Sequence, residues 1–172
     1  MRADYDTNGY TQWFFFRISS LRKGQYYKFN IMNMMKPNSF YNQGMKVLCY
    51  PVDPFNKGVT KTWRRDGENI AYYRNGIQRK PGLYYYTLTF TLEATSQIIY
   101  IASDYPYRYT DLKNFIKEHC SEDKKDIVRM MTLCETLAGN VCPLLIITQF
   151  NSTAKEIAQR PAIIFTARVH PG

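Results

Sequence analysis

Leu83-Tyr84-Tyr85-Tyr86-Thr87-Leu88-Thr89-Phe90-Thr91-Leu92 is the stretch that decides the fold. Side chains alternate sides along a strand, so Tyr84, Tyr86, Leu88, Phe90 and Leu92 share one face. Tyr85, Thr87, Thr89 and Thr91 share the other. Apolar residues on one side and mostly threonines on the other predict an antiparallel strand with a buried face and a solvated face.

Working outward, the preceding residues read as further short strands. Gln12–Ser19 is aromatic-rich, and Tyr26–Asn33 sets Tyr27, Phe29 and Ile31 against Lys28 and Asn30. Lys23 and Gly24 supply the turn between them. Met45–Tyr50 is entered through Asn42-Gln43-Gly44. Asn69–Arg74 is expected to close at Asn75-Gly76, a strong short-range turn signal. Gln97–Ala102 follows the central stretch. Strands at this spacing predict an antiparallel sandwich.

Beyond Tyr105-Pro106 the pattern changes. Thr110 reads as an N-cap, with Leu112, Phe115 and Ile116 at helical spacing after it. Ser121–Asp126 is charged and reads as a loop, and Ile127–Thr136 is ambiguous between helix and strand. Pro143–Phe150 and Ala162–Val169 are near-continuous apolar runs, the pattern of strands buried on both faces. The expected fold class is therefore mainly β, with a sandwich domain over residues 1–104 and the beginning of an α/β domain over 105–172. Such an incomplete α/β unit is expected to leave apolar surface uncovered.

Composition narrows the function. The chain has 172 residues, 45% of them hydrophobic, which supports a real core and excludes wholesale disorder. Its net charge of +9 favours acidic partners. The densest basic stretch holds Lys57, Lys61, Arg64, Arg65, Arg74, Arg79 and Lys80, which reads either as a binding face for acidic tails or as an ordinary solvated face. No nucleic-acid reader motif accompanies the charge, which disfavours nucleic acid as a partner. Cys49, Cys120, Cys134 and Cys142 lack the CxxC spacing of a structural zinc site and read as reduced thiols of a cytosolic protein. Met1-Arg2-Ala3-Asp4 leads into polar residues, so no signal peptide is expected, and no apolar run approaches the length of a membrane span. His119 falls near a helix C-terminus, where a cation is mildly favoured. His170 ends an apolar run just before Pro171-Gly172, where a turn could present a metal ligand.

Several motifs run in order through the chain. The first are Asp6-Thr7-Asn8 with Gln12-Trp13-Phe14-Phe15-Phe16, Tyr27-Lys28-Phe29-Asn30-Ile31-Met32-Asn33 and Tyr41-Asn42-Gln43-Gly44-Met45. Trp63-Arg64-Arg65-Asp66-Gly67, Ile70-Ala71-Tyr72-Tyr73-Arg74-Asn75 and Tyr105-Pro106-Tyr107-Arg108-Tyr109-Thr110-Asp111-Leu112 follow. Leu133-Cys134-Glu135-Thr136-Leu137-Ala138-Gly139-Asn140 and Thr166-Ala167-Arg168-Val169-His170-Pro171-Gly172 complete the set. Together they resemble the cytosolic carboxypeptidases, zinc peptidases that shorten glutamate tails, mainly on tubulin.

The resemblance implies a β-sandwich placed before an α/β carboxypeptidase domain. It also implies that His170 opens the family's His-x-x-Glu zinc motif, whose glutamate would fall on the residue after Gly172. Zinc is thus expected in a full-length parent and not on this chain alone, because one imidazole without the remaining ligands and base cannot sustain the chemistry. The expected partners are tubulin or other glutamate-rich tails, microtubules, or a protein covering the incomplete domain, with no membrane partner. The expected location is the cytoplasm, with the cytoskeleton or cilium as finer possibilities. Two readings stay open: the front portion of a glutamate-trimming peptidase, and a non-catalytic microtubule- or cilium-associated binding module of the same descent.

Overall fold

The computed structural model describes residues 11, 13–52 and 62–168. These divide into two compact units, with the break between Pro106 and Tyr107.

The first unit holds seven strands in two antiparallel sheets. They are β1 (Phe15–Ile18), β2 (Tyr26–Met34), β3 (Val47–Val52), β4 (Arg64–Asp66), β5 (Glu68–Lys80), β6 (Leu83–Glu93) and β7 (Ile98–Ala102). One sheet has the order β1-β7-β3-β4 and the other β2-β6-β5. Buried side chains from both sheets form a single apolar cluster, in which Phe14, Val47, Cys49, Ile99 and Ile101 meet Ile31, Tyr72, Leu88, Phe90 and Leu92. This is the expected sandwich. Phe90 lies at its centre, fully buried and stacked on its cross-strand partner Phe29 at 5.2 Å between ring centroids. The opposite face of the first sheet is aromatic: Trp63 packs on Tyr50 at 5.4 Å and on Phe15 at 6.0 Å.

The chain passes from one sheet to the other at Asp66-Gly67-Glu68. Gly67 has φ +108°, a conformation that a side chain resists, and its N–H donates to the Asp66 carboxylate at 2.8 Å. The Asp-Gly pair therefore acts as a corner between sheets. Pro51 is accommodated in β3 because β4 pairs only with Val47–Cys49, so no partner there requires the missing N–H.

Two expectations for this unit need correction. The chain does not turn at Asn75-Gly76; both residues lie within β5, and the reversal comes at Pro81-Gly82 between Lys80 and Leu83. The turn chemistry is spent on a bulge instead. Asn75 Oδ1 accepts from the Ile77 N–H at 2.8 Å, while Nδ2 donates to the Met32 carbonyl and to Thr87 Oγ1. The threonine face of β6 is also not solvated, since Thr87 and Thr89 are buried. As the central strand between β2 and β5, β6 is flanked along both edges, and Asn75 from β5 donates to Thr87 Oγ1.

The second unit holds α1 (Tyr109–His119), a short 3-10 turn (Glu122–Lys124), the hairpin of β8 (Val128–Glu135) and β9 (Val141–Ile147), and α2 (Ala154–Ala158). The ambiguity over Ile127–Thr136 resolves as a strand. Helix α1 starts earlier than expected, with Arg108 rather than Thr110 at the N-cap. Asp111 explains the shift, because its carboxylate accepts from the Arg108 backbone N–H at 2.7 Å and holds the Arg108 guanidinium at 2.8 Å. The Asp111 carboxyl is held down at about 2 by these bonds, the side-chain contact contributing most.

No residue from 107 to 168 is buried. The expected burial of Pro143–Phe150 on both faces is therefore not seen: β9 pairs with β8 alone, and Ile147 is 72% exposed. Residues 162–168 form no strand, with Phe165 91% exposed. An extended segment becomes a strand only when a neighbour takes up its backbone groups, and none of the described strands pairs with this one.

Candidate functional site

The seven basic candidates fall on three different footings. Lys57 and Lys61 lie outside the described residues, as do His170 and the two residues after it. Arg64 and Arg65 sit on β4 in the four-stranded sheet; Arg74, Arg79 and Lys80 sit on β5 in the three-stranded sheet. The linear cluster is thus split between the two sheets by the corner at Gly67.

Their chemistry differs as well. Arg64 pairs with Asp66 at 3.1 Å while staying half exposed. Arg65 is turned to structural use: its guanidinium donates to the Lys46 carbonyl at 2.6 Å, to the Ser103 carbonyl at 2.8 Å and to Asp104 at 3.3 Å. These bonds tie the start of β3 to the end of β7. Arg74 lies over the Tyr84 ring, 4.9 Å from its centroid, which leaves its charge outward on the hairpin. Arg79 Nε is buried with no hydrogen-bond partner among the described residues, and Lys80 is exposed at the hairpin tip. Arg64, Arg74 and Lys80 are accordingly the exposed cations best placed to meet an acidic segment.

A cavity of about 370 Å³ lies beside the 3-10 turn Phe40–Gln43. Its lining includes Met34, Lys36, Tyr41, Tyr72, Ser103 and Asp104. The turn is held by Ser39, which caps it, and by Gly44 at φ +92°. Tyr72 donates its hydroxyl to the Lys36 carbonyl, and burial, with a smaller push from the nearby Tyr86, raises its pKa to about 12. The Tyr41 hydroxyl and Ser103 Oγ are buried without hydrogen-bond partners among the described residues. Burial raises the Tyr41 pKa, the Asp104 carboxylate raises it further, and Arg65 opposes both. The cavity can therefore offer neutral hydroxyl donors beside a carboxylate, but no activated nucleophile. Residue-by-residue reading did not single out this cavity; the one signal was that Tyr41-Asn42-Gln43-Gly44-Met45 stands among the family-like motifs.

No group of three or more His, Cys, Asp or Glu side chains converges among the described residues. By themselves they do not fit a zinc centre. His119 ends α1 with its ring against Phe115, at 4.3 Å between centroids, as a helix-terminal residue rather than a ligand. Cys49 is buried and its thiol is pushed up to about 12 by burial and Asp66, against the pull of Arg64, so it is an inert core residue. Tyr105 and Tyr107 are exposed, and the Arg168 guanidinium stands over the Tyr107 ring at 5.5 Å.

No protein-family model matches the chain. The whole chain is 42% identical to cytosolic carboxypeptidase 2 of Xenopus tropicalis and 38% identical to human cytosolic carboxypeptidase 2. It is 39% identical to cytosolic carboxypeptidase 1 of Danio rerio. The chain spans 18%, 19% and 16% of those three proteins. Among solved structures, a candidate carboxypeptidase A of Shewanella denitrificans superposes with a TM-score of 0.53 at 20% identity, over 85% of this chain and 33% of that one, which shows a shared fold. The relatives are named cytosolic, and no helix among the described residues is long and apolar enough to cross a membrane. Matched from end to end by these relatives, and folded as the structural likeness requires, the chain belongs to the cytosolic carboxypeptidase family.

Proposed function

We propose that this chain is the front portion of a zinc metallocarboxypeptidase that removes glutamates from tubulin-like acidic tails, and that the 172 residues alone are inactive. The carrying observation is the end-to-end match to relatives of which the chain spans only about a fifth. In such an enzyme a bound zinc would supply Lewis-acid chemistry to the scissile carbonyl and to a water. His170 would supply one ligand, as the resemblance of Arg168-Val169-His170-Pro171-Gly172 implies. The sandwich would contribute binding rather than chemistry, since its cavity and exposed cations contain no activated base or nucleophile. Reading the transcript past Gly172 tests this directly. A glutamate codon at the next position, with a further histidine downstream, is expected; a genuine stop codon there would refute the enzymatic reading. The chain alone, given a polyglutamylated peptide, should release no glutamate, and measurable release would overturn the assigned inactivity.

A second reading rests on the exposed cations. Arg64, Arg74 and Lys80, with Lys57 and Lys61 as further candidates from the sequence, recruit glutamate-rich tails or the microtubule surface through electrostatic steering. This role serves a peptidase and also serves a non-catalytic module at the cytoskeleton or cilium. Co-sedimentation with microtubules should weaken as salt rises and should be lost when the tubulin tails are removed. Binding indifferent to both would sink it.

A further inference from the structure

The β8–β9 hairpin sets two cysteines directly opposite one another. Cys134 is the register partner of Cys142, one step from the Glu135–Val141 pair beside the loop. Opposed residues of an antiparallel pair project from the same face, with Cα atoms about 4.5–5.5 Å apart. A disulfide spans about 4.4–6.8 Å between Cα atoms, so the bridge needs no large backbone movement. Both thiols are free, and Cys142 is near enough to Cys134 to influence its ionisation. Cys134 is exposed and Cys142 half-buried, so a small reagent can reach them. The loop is also fixed: Thr136 N–H donates to the Asn140 carbonyl at 2.8 Å and Asn140 N–H to Thr136 Oγ1 at 3.1 Å. The register slip between Thr132 and Cys134 gives the strand local freedom to adjust its twist.

We propose that Cys134 and Cys142 form a reversible dithiol–disulfide site, oxidised by small-molecule disulfides of the glutathione type. One cysteine thiolate attacks the glutathione disulfide, forming a mixed disulfide and releasing one glutathione. The facing thiol loses its proton to solvent and attacks the protein-side sulfur, releasing the second glutathione and leaving the cross-strand bond. Two protein thiols are oxidised and one small disulfide is reduced to two thiols. Loss of solvation and the neighbouring Cys142 raise the Cys134 pKa above its ordinary value, so the exchange should accelerate as pH rises. Cys49 is sealed in the sandwich core, and Cys120 lies past the end of α1 with no cysteine opposite it.

The test uses the full chain in glutathione redox buffers, read by thiol titration and intact mass. The expected result is loss of two of the four thiols together, a mass two hydrogens lower, and a single non-reduced peptide joining residues 134 and 142. Dithiothreitol should restore all four. Each of Cys134→Ser and Cys142→Ser should instead trap one glutathione on the remaining partner. Independent glutathione adducts on both cysteines of the unsubstituted chain, a bridge to Cys120, or four persistent thiols in a buffer that oxidises a model dithiol would each overturn the proposal.

Discussion

Replacing Phe90 with alanine tests whether the two sheets share one core. Phe90 is fully buried in the three-stranded sheet and stacked on Phe29. Truncating a buried phenylalanine costs about 3–5 kcal/mol, and the stacked pair places this site towards the upper end. Both tryptophans of the chain, Trp13 and Trp63, belong instead to the aromatic group around Phe15 on the four-stranded sheet. Tryptophan fluorescence therefore reads a sheet that the substitution does not touch. For a urea slope of about 1–3 kcal/mol per molar, the midpoint should fall by about 1–5 M, if the sheets unfold as one. An unchanged fluorescence midpoint, with far-ultraviolet dichroism showing earlier loss of strand signal, would refute the single shared core.

Tyr41→Phe removes a buried hydroxyl with no partner among the described residues, so stability should hold or rise by up to about 1 kcal/mol; a clear loss in thermal unfolding would show that the hydroxyl is satisfied. Arg65→Met should destabilise the sandwich by about 1–3 kcal/mol in urea unfolding, because two carbonyls and Asp104 lose their donor. Asp111 has a folded pKa of about 2, below the unfolded value of about 4, so its support for α1 is present above the unfolded value and lost as pH falls towards the folded one. Helical dichroism should drop across that window, and Asp111→Asn should flatten the dependence. Thr153→Ala should fray α2 by about 0.5–2 kcal/mol, seen as faster amide exchange at Glu156, whose N–H donates to Thr153 Oγ1.

Strand existence was legible wherever alternation was unbroken, as in Leu83–Leu92 and Tyr26–Asn33. What alternation could not show was which strand would be central. Thr87 and Thr89 look like a wet face until β6 is set between β2 and β5, with Asn75 bonded to Thr87, a fact of topology rather than of local pattern. Asn75-Gly76 misled for a related reason: Asn75 found long-range partners in Met32 and Thr87, and these outweighed the local preference for a turn. The Thr153-x-x-Glu156 spacing is a capping box and was readable as the start of α2, although the surrounding polar stretch obscured it. The cavity beside Tyr41 required the fold, because Lys36, Tyr72 and Ser103 come from distant parts of the chain.

The pairing of β1 with β7 also has a consequence for synthesis. Ile18 pairs with Ile99, some eighty residues later in the chain. A ribosome adds about 5–20 residues per second, so the Phe15-Phe16-Arg17-Ile18 segment emerges several seconds before its partner exists. During that interval its aromatic side chains and open backbone groups are exposed to every other nascent chain. The β5–β6 hairpin, whose strands are separated only by Pro81-Gly82, can form as soon as it emerges. Heat-shock holdases that bind short apolar segments should therefore engage the first strand of this protein during translation and release it once residue 102 has cleared the exit tunnel.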